Sequence, residues 1–392
     1  MKHYYIFGLI LLFILTFSTK SFAYDFTVNG LYYNLDTSDG TIYVTFGDEQ
    51  YSGEVVVPSN VIYKDRNLKV SKIGSYAFSN NKDLISVTIE NGIETIDNNA
   101  FELCDNLETI TIPLSVTEIN PYAFQGCKRL LSITIPKGLT RLSEGLFQNC
   151  DKLKEIEIPN NIEEIDNYCF KNCKSIKQIK IPGSVKKIGD FLGYKTNFTN
   201  GGGYSIAFKG EVFRGCDNLI NIEIQEGVEI IGHATFQGCK KIETIDLPNS
   251  ITYIGKLAFS HCTSLKTVSI SNNLSWLDRN TFDGDEAIKT VIYKDRKDWN
   301  FKYINWIFED RLPNLFEHAY NVGYGGFANS HPTKLYLGRL FSDVIDSCLN
   351  LDSLEVMTIG KGCLNSDIGS SMHHSFEKAS HLVYIYSMSI NT

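Results

Sequence analysis

Several things are scarce or missing in this chain, and each absence narrows what it does. Basic charge is not in excess: 37 Lys and Arg stand against 45 Asp and Glu, a formal net charge of −8. Phosphate binding needs a dense Lys/Arg face, so nucleic acid is excluded as a partner. The short pairs Lys186-Lys187 and Lys240-Lys241 are too small to reverse that balance. Long apolar runs are absent after Phe17, so nothing downstream approaches the roughly 20 residues that span a bilayer. Catalytic signatures are absent too: no H-E-x-x-H, no G-x-S-x-G and no glycine loop built to cradle phosphate. The eight histidines are scattered, and the adjacent pair His373-His374 points apart on either regular element. No paired C-x-x-C motifs with matching partners mark a zinc site. These absences describe a non-enzyme with no cofactor and no metal.

What is present begins with an export signal. Lys2 and His3 form a short charged start, Ile6 to Phe17 is an apolar run, and Ser21-Phe22-Ala23 offers small residues at the two positions a signal peptidase reads. Residues 1–23 are therefore expected to be a signal peptide cut after Ala23, with no membrane span in the mature chain. No cysteine follows the apolar run, so lipid attachment there is not expected. The mature protein is expected to be secreted or held at the cell surface.

A phenylalanine then recurs every 23 residues: Phe78, Phe101, Phe124, Phe147 and Phe170, and after one longer gap Phe213, Phe236, Phe259 and Phe282. A cysteine follows three residues later in seven of these units, from Cys104 to Cys262. A fixed period of this size marks a solenoid, in which one short unit stacks on copies of itself. Each unit carries a period-2 alternation such as Ile110-Thr111-Ile112 or Ile156-Glu157-Ile158, the mark of a strand. Proline follows it at Pro113, Pro136, Pro159, Pro182 and Pro248 and ends the strand because it has no N–H to pair. A second apolar pair comes next, as in Val116 and Ile119 or Val185 and Ile188. The stretch around each phenylalanine reads as a turn or short irregular helix. Ten cysteines in an exported chain ordinarily suggest disulfides. Here seven of them sit at one repeat position, with parallel Cβ vectors unsuited to bridging, so buried reduced thiols are expected.

The string IGSYAFSNNKDLISVTI (Ile73 to Ile89) and its successors resemble the BspA-type leucine-rich repeats of bacterial surface proteins, over roughly Val55 to Ile292. The preceding segment, FTVNGLYYNL and then YSGEVVVPSNVIYKDRNLKVSKIG, is similar to members of that family as well. The resemblance implies a leucine-rich-repeat solenoid, α/β or mainly β, with one short strand per 23-residue coil. It also implies a non-catalytic protein for adhesion or protein–protein interaction at the bacterial surface, since such adhesins as a family are linked to host matrix proteins or other cells.

The expected organisation is a signal peptide (1–23), an N-terminal β-hairpin cap (24–71), a solenoid (72–292) with an insertion at 190–209, an irregular aromatic-rich segment (293–332) and degenerate leucine-rich repeats (333–392). The working surface is expected on the outward strand positions. One column reads Thr88, Thr111, Thr134, Glu157, Lys180, Glu223, Asp246 and Ser269; its neighbour reads Ser86, Thr109, Ser132, Glu155, Gln178, Asn221, Thr244 and Thr267. Glu157, Lys180, Glu223 and Asp246 are the charged candidates for ligand contact. Tyr194, Phe198 and Tyr204 flank Gly201-Gly202-Gly203 in the insertion and are the aromatic candidates, because scaffolds often carry binding residues on loops. The expected partner is a host-matrix or cell-surface protein, or a glycan. A carbohydrate-binding or carbohydrate-processing envelope protein is the other reading, and it rests on exposed aromatics around Trp299 and Trp306.

Overall fold

One coil of this sequence has a single large ring and no second layer to cover it, so the ring must be buried by the coils on either side. The computed structural model describes residues 24–190, 194–197, 204–207, 209–271, 273–274, 276–277, 280–294, 334–337, 356–359 and 384–387. The expected signal peptide, Phe198, Trp299 and Trp306 lie outside the described residues. The nine phenylalanines of the 23-residue period, Phe78 to Phe170 and Phe213 to Phe282, are all buried. Successive rings stack with centroids 4.9 to 5.9 Å apart and planes within 20° of parallel, the offset geometry that the ring quadrupole favours.

The backbone around each ring is neither helix nor strand. Two residues before and two after the phenylalanine, the chain turns left-handed: Asn99 and Leu103 around Phe101, Gly145 and Asn149 around Phe147, Tyr168 and Asn172 around Phe170. The alternation aims three N–H groups per coil at the next coil. Asn99 donates to Pro121 O at 3.1 Å, Phe101 to Ala123 O at 2.8 Å and Leu103 to Gln125 O at 2.7 Å. The phenylalanine carbonyl points into the stack, where the cysteine of the following coil donates its thiol to it. Cys104 reaches Phe78 O at 2.9 Å, and the same contact recurs down to Cys262 on Phe236 O at 3.2 Å. The slot therefore asks for a side chain that is small, apolar and able to donate, and cysteine meets all three conditions.

Strand ladders run along the other sides of the coils. β1 (Phe26–Val28), β2 (Leu31–Leu35) and β3 (Ile42–Thr45) form an antiparallel meander. Next come β4 (Gly53–Val57), β5 (Asn60–Tyr63), β6 (Arg66–Ile73), β7 (Leu84–Ile89), β8 (Thr95–Ile96) and β9 (Thr109–Thr111). β5 and β6 make a hairpin whose two turn residues, Lys64 and Asp65, are both left-handed, as a type I′ turn requires. From there pairing is parallel: β3 with β6, β6 with β8, and β4 with β7 with β9. A ladder of two-residue strands continues from Arg141–Leu142 to Trp276–Leu277. Another runs from Thr244–Asp246 through Thr267–Ile270 and Thr290–Tyr293 to Lys334–Leu337, Val356–Ile359 and Tyr384–Ser387.

The alternating stretches around Ile133 and Ile156 were expected to be strands, and they are not regular ones. Only a single bridge, Ser132 to Glu155, joins them. The reason lies in the proline slot. Where another residue occupies it, its N–H reaches the preceding coil: Glu90 donates to Val57 O, Gln225 to Ile181 O and Lys294 to Ile270 O, at 3.0 to 3.2 Å. Ladders of four or five pairs accompany those bonds. Pro136, Pro159, Pro182 and Pro248 have no such N–H, and the strands before them share no named ladder with the preceding coil. At these four slots proline ends its own stretch and also separates it from the preceding coil; Pro113 does not, since β9 before it keeps three pairs with β7.

Two outcomes are expected. Phe124→Ala removes a ring stacked on both faces and should lower unfolding free energy by about 3–5 kcal/mol in denaturant titration; a loss below about 1 kcal/mol would mean that the site collapses around the gap. Pro159→Gln should place a new N–H opposite Ile135 O and slow amide exchange there by roughly tenfold or more. Unprotected amides at 157–159 would show that the proline is not what interrupts the ladder.

Candidate ligand-binding face and insertion

Four of the sequence-selected residues fall on one column of the strand side. Glu157, Lys180, Glu223 and Asp246 are all exposed, while the neighbouring apolar residues Ile158, Ile179, Ile224 and Ile245 are buried. Period-2 geometry does this: residues on one face of a short strand alternate between core and solvent. The register places Lys180 directly beside Glu223 and Asp246 beside Ser269. The Lys180 ammonium lies 3.0 Å from the Glu223 carboxylate, with side chains 59% and 58% exposed. An ion pair that open to water contributes only about 0–1 kcal/mol, so either partner is free to turn to a ligand at little cost to the fold. Glu157 sits one coil earlier, in the stretch that lacks a regular strand. The hydroxyl column is confirmed in register by Thr88 beside Thr111 and Ser86 beside Thr109.

Ser269 departs from the outward position expected for it and is buried. It is flanked in register by Asp246 and Ile292, and Lys294 ties down the Asp246 side. Its ammonium meets Asp246 at 2.6 Å and donates to Leu247 O at 2.6 Å, which anchors it at this end of the face. Lys294 was not among the selected residues, although its place in the proline slot marked it as a unit that differs from the others.

The insertion leaves the stack through Gly189 (φ 70°) and returns through Gly210 (φ 141°). A side chain at Gly210 would collide with the backbone carbonyl of His233, so only glycine lets the chain re-enter this close to the next coil. Between the two glycines, Tyr194–Asn197 pairs antiparallel with Tyr204–Ala207. Tyr194 and Tyr204 thus stand on the two arms of one hairpin, and Phe198 falls outside the described residues. The base is tied down by Asp190, which accepts from Asn167 at 2.7 Å, and by Lys209, 3.1 Å from Glu144. The spine does not notice the insertion, since Phe170 and Phe213 stack at 5.1 Å.

Among the described residues, no reactive thiol stands near these groups. The eight described cysteines are free and buried, and burial pushes Cys104 and Cys216 up to about 12, away from the thiolate that makes a nucleophile. Among the described residues, no three His, Cys, Asp or Glu side chains are grouped to hold a metal ion. One carboxylate is displaced: Asp285 occupies the cysteine slot after Phe282, fully buried. Burial pushes it up to about 8, Asp283 adds to the rise, and the Cys262 N–H opposes it.

A stack of coils carrying a buried phenylalanine spine and parallel single-strand ladders defines a leucine-rich-repeat solenoid. The BspA type leucine rich repeat region matches residues 70–199 and 206–309 in six copies, and the chain belongs to that family. In fold it is similar to the pneumococcal vaccine antigen PcpA (17% identity, 93% of this chain and 98% of that one, TM-score 0.50). Two further solved structures are a leucine rich cell surface protein of Faecalibacterium prausnitzii A2-165 and a leucine rich repeat protein of T. pallidum. The first has 21% identity, covers 93% of this chain and 95% of its own, and has a TM-score of 0.43. The second has 22% identity, covers 62% and 90%, and has a TM-score of 0.44. No curated protein matches the sequence.

The displaced carboxyl gives a pH prediction. Asp285 titrates near 3.8 in an unfolded chain and near 8 when folded. The folded state therefore holds the proton over that window, and stability falls as pH rises from about 4 to about 8. Asp285→Asn should flatten this part of the profile of thermal midpoint against pH. Parallel losses in both proteins would place the origin elsewhere.

Proposed function

We propose that this chain is an exported, non-catalytic interaction protein that binds a protein or glycan ligand at or near the bacterial surface. The signal at residues 1–23 carries it out of the cell. Residues 24–71 act as the N-terminal cap, shielding the first coil of the 72–292 solenoid from edge pairing. Residues 293–332 and 333–392 complete the chain as an aromatic-rich segment and degenerate repeats. The ligand is held by many weak contacts on the strand face, centred on Glu157, Lys180, Glu223 and Asp246. The 190–209 insertion supplies specificity through Tyr194, Phe198 and Tyr204.

The observation that carries this reading is the contrast between the two sides of the coil. Exposed charges stand in register on a repeated support, whereas the eight described cysteines are buried, and burial holds thiols such as Cys104 protonated. Membership of the BspA-type family supports the same reading. Among the described residues, no helix is long and apolar enough to cross a membrane.

A binding screen of residues 24–392 against matrix proteins and glycans tests it. Replacing Glu157, Lys180 and Glu223 together by alanine should weaken the bound ligand by about tenfold or more, as loss of a small contact cluster does, with the unfolding midpoint nearly unchanged. Deleting residues 192–207 should likewise alter binding and leave unfolding cooperative. Unchanged affinity in both variants would remove the strand face and the insertion from the site.

A further inference from the structure

The strand face has a first rung, and the outer side of that rung is open. β4 covers β7, which in turn pairs with β9, and β4 ends that sheet. The bonds on its inner side fix its orientation. Gly53 donates to Asp83 O at 2.7 Å, and Val57 O accepts from Glu90 at 3.0 Å, so residues 53, 55 and 57 face β7. Backbone groups alternate in direction along a strand, and the N–H and C=O of Glu54 and Val56 therefore face away from β7. Among the described residues, no hydrogen bond reaches these four groups. The cap thus moves the open edge from β7 to β4 and does not remove it.

The side chains say what fits this edge. The inner row of the strand side runs Val55, Val87, Ile110 in register. Val87 and Ile110 are 2% and 8% exposed, whereas Val55, at the end of the row, is only half-buried; it lacks an apolar neighbour on its outer side. On the opposite face Val56 stands 57% exposed. β4 contains neither the lysine nor the proline that commonly guards an edge. Its open groups are also symmetric about Val55. An antiparallel copy of β4 with Val55 opposite Val55 sets Glu54 against Val56 of the second copy, and Val56 against its Glu54. Both pairs exchange two N–H···O bonds, so every open group on both copies gains a partner. The two Val55 side chains meet at the position without hydrogen bonds, where facing residues come closest and β-branched pairs stabilise a sheet.

We propose that the chain forms a two-fold dimer through antiparallel pairing of β4 with β4 of a second copy. A contact of this kind uses the same patch on both chains and closes on itself, so it stops at two. Each Glu54 lies diagonally across from its equivalent, about 7–8 Å away, and this like-charge pair opposes association until salt screens it. The pairing requires nothing of Glu157, Lys180, Glu223 or the insertion and stands apart from the ligand-binding reading. It presents two strand faces together, the condition for avidity.

Sedimentation equilibrium of residues 24–392 from about 1 to 200 µM tests it. The mass should rise from one chain toward two, with a dissociation constant on the order of micromolar, as befits a small interface. Amide exchange at Glu54 and Val56 should slow as concentration rises, whereas Val55 and Val57, already facing β7, should be protected in the monomer as well. Val56→Pro deletes one outward N–H and spares the β7 ladder, and should keep the chain monomeric. Val56→Lys, at an exposed position, should weaken the dimer by about tenfold or more with the thermal midpoint unchanged; it carries the test should the proline variant unfold. Glu54→Gln should tighten the dimer at low salt by up to about fivefold. The Glu157/Lys180/Glu223 alanine variant should dimerise as before. A chain that stays monomeric at about 200 µM would overturn the proposal and leave the edge to an extended strand of another polypeptide. A dimer in which the Glu54 and Val56 amides stay unprotected would overturn it equally, by placing the contact elsewhere.

Discussion

Everything in this molecule depends on a ring that its own coil cannot bury. A 23-residue unit has one layer of apolar side chains, and each phenylalanine finds its second surface only on the neighbouring coils. Three other interactions share that axis: the strand pairs, the left-handed N–H ladder and the thiol-to-carbonyl contacts. Each couples a coil only to its neighbours. Stability is therefore close to a sum of nearest-neighbour terms, with no long-range contact to close the structure. A single unit would be unfolded; a stack of them is stable because every interior interface repeats the same set of contacts.

The same one-dimensional logic explains where the chain can grow. Between Phe170 and Phe213 the sequence carries 20 residues more than one period, yet both ladders and the ring stack pass the site intact. Loop closure grows only slowly with length, so extra residues are tolerated where both ends rejoin the same interface. Gly189 and Gly210 make that re-entry possible. A long hairpin can thus be added without disturbing the support it stands on, which is the arrangement that a specificity loop needs.

How much of this was legible in the sequence depends on how many coils a property spans. The period, the buried ring and the offset of eight residues from phenylalanine to strand are properties of one unit, and they read directly. The offset even holds between Phe376 and Tyr384. Lys180 and Glu223 could be paired because they share a column, once the insertion was subtracted. Properties of two coils were hidden. Proline was correctly read as a strand end, but its effect on the preceding coil depends on an N–H that single-unit alternation does not contain. Ser269 reads as outward from its own unit alone, yet it is buried, with Ile292 of the next unit beside it in register. The reason for cysteine was hidden as well, because the carbonyl it serves is turned inward by a left-handed backbone that the residues Tyr, Leu and Asn do not announce.

Repetition also makes the interior chemically silent. The phenylalanine N–H groups from Phe78 to Phe259 each meet an acceptor one coil away, and the seven thiols three residues after a phenylalanine each meet a carbonyl, so little there is left to act on a ligand. Chemistry collects where the repeat fails. The thiol ladder is bracketed by the same slot filled differently, Asn81 before Cys104 and Asp285 after Cys262. The first keeps a buried acceptor without a donor and the second holds a proton that water would remove. The directional N–H ladder likewise leaves acceptors at its first coil, because every donor points onward. In a solenoid built from near-identical units, the residues that break the pattern, at the first coil, at the insertion and at Lys294, are therefore the ones whose contacts differ from those every interior coil repeats.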